Sequence, residues 1–181
     1  ETTVVVDGNE LSVSAGRTSF RLPMMRADDY PHLPVMDTSD AIGSIDRDTF
    51  AEAVRIIGSF ASTDSLPANL TALNMQFGAG SLMLRATDRY IIGHRRLEWL
   101  GGEAVINVAA ADVLPAIKDL TGHDGSGDVE ILWNGTMIGF RTTTTTAIAR
   151  TLNLEGDGYP DTNRALTTKE YFAAITVPVA E

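Results

Sequence analysis

The sequence of 181 residues contains no cysteine, which excludes disulfide bonds and thiolate metal sites and fits a reducing, cytoplasmic location. Basic residues are also scarce: 14 Lys and Arg stand against 24 Asp and Glu, giving a formal net charge of −10. This balance argues against a protein coated in cations, although a few cations grouped on one surface remain compatible with it. No run of eighteen apolar residues occurs, so no membrane span is predicted.

The sequence also lacks the common catalytic patterns. It has no Gly-x-Ser-x-Gly elbow, no phosphate-binding loop and no Gly-x-Gly-x-x-Gly. His32, His94 and His123 are far apart in the chain and lack metal-ligand spacing. The stretch 124–128 resembles a calcium loop, but Gly135 stands at the twelfth position, where glutamate is needed. We therefore expect no catalytic residue, no bound metal and no cofactor.

The start of the chain is predicted to form paired strands and then a linker. Val4–Val6 and Leu11–Val13 flank Asp7-Gly8-Asn9-Glu10, which is a hairpin turn sequence. Residues 23–41 combine proline with acidic side chains and are predicted to be extended.

A helix is predicted next, because Asp46 can cap a helix that runs to about Phe60. Its apolar residues recur at intervals of three and four, which predicts one buried stripe. The stripe consists of Phe50, Val54, Ile57 and Ala61. Three strands are predicted to follow, at residues 73–77, 81–86 and about 90–99.

The same order then recurs. The predicted elements are a short strand at 105–108, a helix at 110–121, strands at 129–133 and 136–141, and a β-branched strand at 142–152. Pro115 is tolerable in the helix because it lies in the first turns. One unit therefore occurs twice. We expect an α+β fold in which each half contributes a sheet, with the helices on one face and a shared core.

Four stretches of the sequence carry a family resemblance. They are Phe20-Arg21-Leu22-Pro23 through Asp28-Asp29-Tyr30-Pro31-His32-Leu33-Pro34; Phe50-Ala51-Glu52-Ala53-Val54; Leu84-Arg85-Ala86-Thr87-Asp88-Arg89-Tyr90 with Arg96-Leu97-Glu98-Trp99; and Tyr159-Pro160-Asp161 with Arg164-Ala165-Leu166. In this order they resemble the bacterial DNA sliding clamp, the β subunit of DNA polymerase III, most closely its actinobacterial form. The stretch from Ala86 to Tyr90 is the most specific of them.

The resemblance implies a DNA clamp (processivity-fold) domain built from two pseudo-repeated halves, each a helix plus an antiparallel sheet. Sliding clamps have three such domains per subunit. The implied division is residues 1–35 as the C-terminal strands of domain 1, 36–41 as a linker, 42–155 as the complete middle domain, 156–168 as a second linker and 169–181 as the start of domain 3. We therefore expect a piece of a longer repeating chain, and a whole protein with irregular termini stays open as the alternative.

The function implied by the resemblance is that of a processivity factor for the replicative DNA polymerase III. Two full-length subunits would close into a homodimeric ring around duplex DNA. A pocket would tether the polymerase III α subunit, the clamp loader and repair proteins through short peptides. The chain would then be an accessory subunit and not an enzyme.

The pocket positions implied by the resemblance combine an apolar wall, an aromatic surface and a cation, Arg164, near the rim. They are Leu70, Thr87, Arg89, Tyr90, Ile92, Pro160, Arg164 and Ala165. Such a pocket binds an extended peptide by enclosing its side chains. Ile91 departs from the family, which commonly has arginine there, so a different peptide preference is expected. Taken singly, Leu70 and Ile92 are better explained as ordinary core residues, and it is the order of the whole set that favours a pocket.

The DNA-facing residues implied by the resemblance lie on the two helices. They are Arg47, Arg55 and Lys118. Phosphate contacts of this kind need only loosely spaced cations and carry no sequence information. Glu52, Asp112 and Asp119 share these faces, so a solvated mixed-charge surface is favoured for each cation taken singly.

Two other hypotheses remain at this point. One is a non-catalytic α+β adaptor domain with no nucleic-acid role, and the other is a hydrolase or transferase whose site forms only in three dimensions. The clamp hypothesis requires two superimposable halves, with both helices on one side and the sheets on the other, and a groove lined by Tyr90, Leu70 and Pro160. An enzyme would show convergent titratable groups in a deep polar pocket.

Overall fold

The computed structural model describes residues 2–64, 67–121, 127–154 and 158–162. The chain divides into two compact units, Glu1–Val35 and Met36–Glu181. The predicted second linker and domain 3 start fall mostly outside these described residues. No helix within them is long and apolar enough to cross a membrane.

The first unit is a three-stranded antiparallel sheet. Its strands, in sheet order, are β1 (Thr2–Asp7), β2 (Glu10–Ala15) and β3 (Thr18–Pro23). Gly8, with φ +56°, takes the left-handed conformation that the turn between β1 and β2 needs. Asp7 pairs with Glu10 across that turn. The predicted hairpin is confirmed.

The second unit contains the predicted repeat of strand, helix and three strands. Its elements are β4 (Ala41–Asp46), α1 (Arg47–Gly58), α2 (Ala68–Thr71), β5 (Ala72–Gly78), β6 (Ser81–Thr87), β7 (Ile92–Glu98), β8 (Leu100–Gly101), β9 (Ala104–Ala109), α3 (Ala110–Thr121), β10 (Asp128–Trp133), β11 (Met137–Arg141) and β12 (Thr146–Arg150). Both predicted long helices are present, and Asp46 caps α1 by accepting a 2.9 Å hydrogen bond from the Thr49 backbone N–H.

The two halves exchange their first strands, which corrects the expectation of one sheet per half. One sheet has the order β12-β11-β10-β4-β8, and the other has the order β7-β6-β5-β9. β4 of the first half therefore pairs with β10 of the second, and β9 of the second half pairs with β5 of the first. Backbone hydrogen bonds, and not only side-chain packing, join the halves.

The core lies between these sheets and the two long helices. Three members of the predicted stripe are confirmed, since Phe50, Val54 and Ile57 are each no more than 4% exposed. The fourth, Ala61, lies beyond the end of α1 at Gly58 and is only partly buried. Phe50 packs against Phe140 at a ring-centroid distance of 5.7 Å. α1 and α3 approach closely where Gly58 faces Leu114, since a Cβ at Gly58 would lie 3.0 Å from the Leu114 Cδ2 atom.

Two strands start two or more residues later than predicted. The predicted strand at 142–152 is shorter, because residues 142–145 form a turn between β11 and β12. The Thr142 backbone N–H donates to the Thr145 carbonyl at 2.8 Å, and the Thr142 hydroxyl accepts from the Thr145 N–H at 3.1 Å. β7 likewise starts at Ile92, two residues later than predicted. A run of β-branched residues gave no indication of a hydroxyl-stabilised turn.

Gly43 in β4 provides a test of this packing. A Cβ built there would lie 2.7 Å from the Cη2 and Cζ2 atoms of the buried Trp99 ring. Gly43→Ala should therefore lower the free energy of unfolding by about 1–3 kcal/mol, measured by urea denaturation. Gly78→Ala is the control, because no heavy atom lies within 4 Å of its added Cβ. Equal stability of the two variants would contradict the packing of β4 on Trp99.

Candidate functional site

A cavity of about 460 Å³ opens in the second unit beside α2, the end of β6 and the start of β7. It is lined by Pro67, Asn69, Leu70, Thr87, Arg89, Ile92, Pro160, Asp161 and Thr162. We call it the site cavity. Its lining comes from three stretches that are distant in sequence, 67–70, 87–92 and 160–162, so only the fold brings them together.

The site cavity includes five of the eight residues expected from the sequence. These are Leu70, Thr87, Arg89, Ile92 and Pro160. Tyr90 is 94% exposed and is not among the lining residues. Arg164 and Ala165 lie outside the described residues. Four lining residues were missed at the sequence level: Pro67, Asn69, Asp161 and Thr162. Each is within three positions of an expected residue, which was the only indication available.

The loop from Thr87 to Ile92, here called the site loop, is held by its own hydrogen bonds. The Asp88 carboxylate accepts from the backbone N–H groups of Tyr90, at 2.9 Å, and Ile91, at 2.8 Å. The Thr87 hydroxyl donates to the Ile91 carbonyl at 2.6 Å and accepts from the Arg89 N–H at 3.2 Å. The loop therefore has a defined backbone conformation without a ligand.

Arg89 has the one positive φ found at a non-glycine position among the described residues, +87°. This conformation suits glycine and costs other residues of the order of 1 kcal/mol or more. Because the hydrogen bonds of Asp88 and Thr87 fix the loop on both sides, Arg89 is held in this conformation.

The charge of Asp88 is part of the loop structure. Hydrogen bonds from the backbone N–H groups of Ile91 and Tyr90 favour its ionised form and lower its pKa below the usual 3.8. The carboxylate is therefore ionised at neutral pH, and it accepts hydrogen bonds from the backbone of the site loop.

Asn69 and Thr162 in the lining of the site cavity each carry a polar atom that has no hydrogen-bond partner among the described residues. The Asn69 side-chain N–H donates to the Gly158 carbonyl at 3.3 Å, which joins α2 to the segment 158–162. Asn69 Oδ1 and Thr162 Oγ1 are buried and accept or donate no hydrogen bond within the described part of the chain. The Tyr159 hydroxyl is in the same state, and burial raises its pKa to about 12, against an opposing effect of Arg85. Leaving such groups unpaired costs about 1–3 kcal/mol each.

The helix face expected to meet DNA carries both signs of charge. Arg55 and Lys118 are exposed and line a depression of about 260 Å³ between α1 and α3, together with Asp48 and Glu52. Arg47 is 4% exposed, so it is not presented beside them. Its side chain lies 3.5 Å from Asp48.

The histidines and acids do not form a metal site in the ranges that the structure describes. No group of three or more His, Cys, Asp or Glu side chains converges there. His32 and His94 belong to different units, and His123 lies outside the described residues.

Comparison with known proteins gives relatives in both sequence and structure. No protein-family model matches the chain. The chain is 36% identical over 94 residues to the beta sliding clamp homolog GriR of Streptomyces muensis, covering 52% of this chain and 25% of GriR. It is 31% identical over 129 residues to the beta sliding clamp of Streptomyces coelicolor, covering 71% of this chain and 34% of that protein. The chain thus spans about a third or less of these curated relatives.

Solved structures share the fold. The DNA polymerase sliding clamp of Bacillus subtilis superimposes with a TM-score of 0.76 at 22% identity, covering 93% of this chain and 44% of that one. The sliding clamp of Pseudomonas aeruginosa bound to griselimycin gives 0.70 at 22% identity, covering 90% and 43%. The predicted resemblance to bacterial β sliding clamps and the predicted α+β clamp fold are therefore confirmed.

The pKa of Asp88 gives a prediction for the site loop. The backbone amide signals of Ile91 and Tyr90, followed by NMR from about pH 6 to about pH 2, should titrate with a midpoint below 3.8. Since the folded pKa is lowered, the stabilisation from this carboxylate is complete above 3.8 and is lost as the pH falls through the folded value. Asp88→Ala should abolish the titration, and a midpoint at or above 3.8 would contradict the hydrogen-bonded loop.

Proposed function

We propose that this chain, a relative of the bacterial β sliding clamps, is part of a replication sliding clamp whose site cavity binds short peptides of partner proteins. The observation that carries this proposal is the cavity itself. It joins apolar Leu70, Ile92 and Pro160 to polar Thr87 and Arg89, at positions that the sequence resemblance implies.

The dimensions and chemistry of the site cavity support a peptide ligand. Its volume of about 460 Å³ falls in the range of small-ligand pockets, roughly 300–1,000 Å³. Its apolar side chains can enclose those of a peptide, and its polar groups can fix the orientation. The Pseudomonas aeruginosa clamp of the same fold was solved bound to griselimycin, so a clamp with this architecture takes a ligand.

The partners we propose are the DNA polymerase III α subunit, the clamp loader and repair proteins, all in the cytoplasm. In the full-length protein, two subunits would form a homodimeric ring around duplex DNA, and the chain would act as a non-catalytic accessory subunit. Arg55 and Lys118 are exposed and could contact phosphates. Their neighbours Asp48 and Glu52 would weaken these contacts, which a topologically closed ring tolerates.

Ile92→Ala tests the peptide site. We expect it to weaken binding of a fluorescent peptide about 5- to 30-fold, because the removed methyl and methylene groups contribute about 1–2 kcal/mol of apolar burial. The peptide carries the clamp-binding segment of the Streptomyces coelicolor DNA polymerase III α subunit, and binding is measured by anisotropy. Tyr90→Ala is measured in parallel, because an exposed aromatic side chain on an ordered loop is a favourable contact for a peptide.

The matched control is Val105→Ala. Val105 is an exposed branched aliphatic residue on β9 and does not line the site cavity. Its variant should bind the peptide as the unchanged chain does. Failure of the unchanged chain to bind, or equal affinity in Ile92→Ala, Tyr90→Ala and Val105→Ala, would refute a peptide site at this cavity.

A further inference from the structure

We propose that Arg89 determines the specificity of the peptide site by selecting ligands that place a carboxylate beside its guanidinium. This inference rests on the proposed function and deepens it. It starts from the backbone, since Arg89 occupies a conformation that glycine would adopt without strain. A strained backbone conformation at a residue that lines a cavity indicates that its side chain has a function there.

The site loop holds the base of the Arg89 side chain in place. Hydrogen bonds within the loop fix the residues on both sides, through Asp88 to Tyr90 and Ile91 and through Thr87 to Ile91. The position of the Arg89 Cα atom is therefore set before a ligand arrives. A cation carried on a fixed backbone position loses less backbone freedom on binding than one on a disordered loop.

The guanidinium of Arg89 has no hydrogen-bond or ion-pair partner among the described residues. Two carboxylates are close to it in sequence or in the cavity lining. Asp88 is occupied by two backbone N–H groups, and Asp161 has an interaction of its own within the chain. Among the described residues that line the site cavity, Arg89 therefore supplies the cation that a ligand can contact.

The chemistry of arginine favours a carboxylate ligand. Its planar guanidinium presents parallel N–H donors that match the two oxygens of a carboxylate. A peptide can supply that group from an Asp or Glu side chain or from its own C-terminus. Because Arg89 is exposed, the expected gain is modest, about fivefold in affinity for one well-placed carboxylate.

The test uses the Streptomyces coelicolor α-subunit peptide in matched series. Each position is replaced in turn by Asp or by its neutral isostere Asn, and the parent peptide is made with a free or an amidated C-terminus. With the unchanged chain, one position or the free terminus should bind about five times more tightly than its neutral counterpart. A gain at an Asp position would show that Arg89 binds a side-chain carboxylate of the peptide. A gain from the free C-terminus would show that it binds the main-chain carboxylate.

Two variants and one control assign this gain to Arg89. In Arg89→Gly, which relieves the backbone strain, the charged-to-neutral affinity ratio should fall to about one. In Arg89→Glu, Lys at the same peptide position should become the better ligand. Arg150→Ala removes an exposed arginine that does not line the site cavity, and it should keep the fivefold ratio. The ratio should also decrease in about 1 M salt.

The outcomes separate this inference from the proposed function. A ratio that is the same in the unchanged chain and in Arg89→Gly at every position would overturn the role of Arg89, even if neutral peptides bind. If Arg150→Ala abolishes the charged-to-neutral affinity ratio as Arg89→Gly does, the effect comes from the overall charge of the chain. This result would also overturn the role of Arg89. If no peptide, charged or neutral, binds the unchanged chain, the proposed function fails and this inference fails with it.

Discussion

The exchange of first strands between the two halves is the constraint on which the second unit depends. β4 completes the sheet built mainly from the second half, and β9 completes the sheet built mainly from the first. Buried residues of these strands, such as Ile45 and Ile106, enter the same core as α1 and α3. The pairing of β5 with β9 also fixes the sheet in which β6 and β7 carry the site loop between them.

The local elements could be predicted from the sequence because they depend on nearest neighbours. The spacing of Phe50, Val54 and Ile57 predicted the buried face of α1, and Asp46 predicted its start. The strand exchange could not be predicted in this way. A strand pattern such as that of Val105–Val108 shows that the segment pairs, but it contains no information about its partner.

In the candidate site, too, some features could be predicted from the sequence and others could not. Five of its lining residues were expected from the resemblance of short stretches. The oxygens of Asn69 and Thr162, which have no partner in the part of the chain that the structure describes, could not be found in this way because their burial depends on tertiary packing. The burial of Arg47 and the exposure of Tyr90 likewise depend on tertiary packing. Charge and residue type in the sequence identify a cation or an aromatic ring, but they do not determine which surface displays it.

Synthesis from the N-terminus delays the completion of this unit. Ile45 in β4 pairs with Val129 in β10, so the hydrogen bonds between these strands wait until about 80 further residues have left the ribosome. Until then, β4 has its other neighbour, the two-residue strand β8, and an unpaired edge on the opposite side. An emerging chain with such an edge is exposed to aggregation until β10 is available to pair with β4.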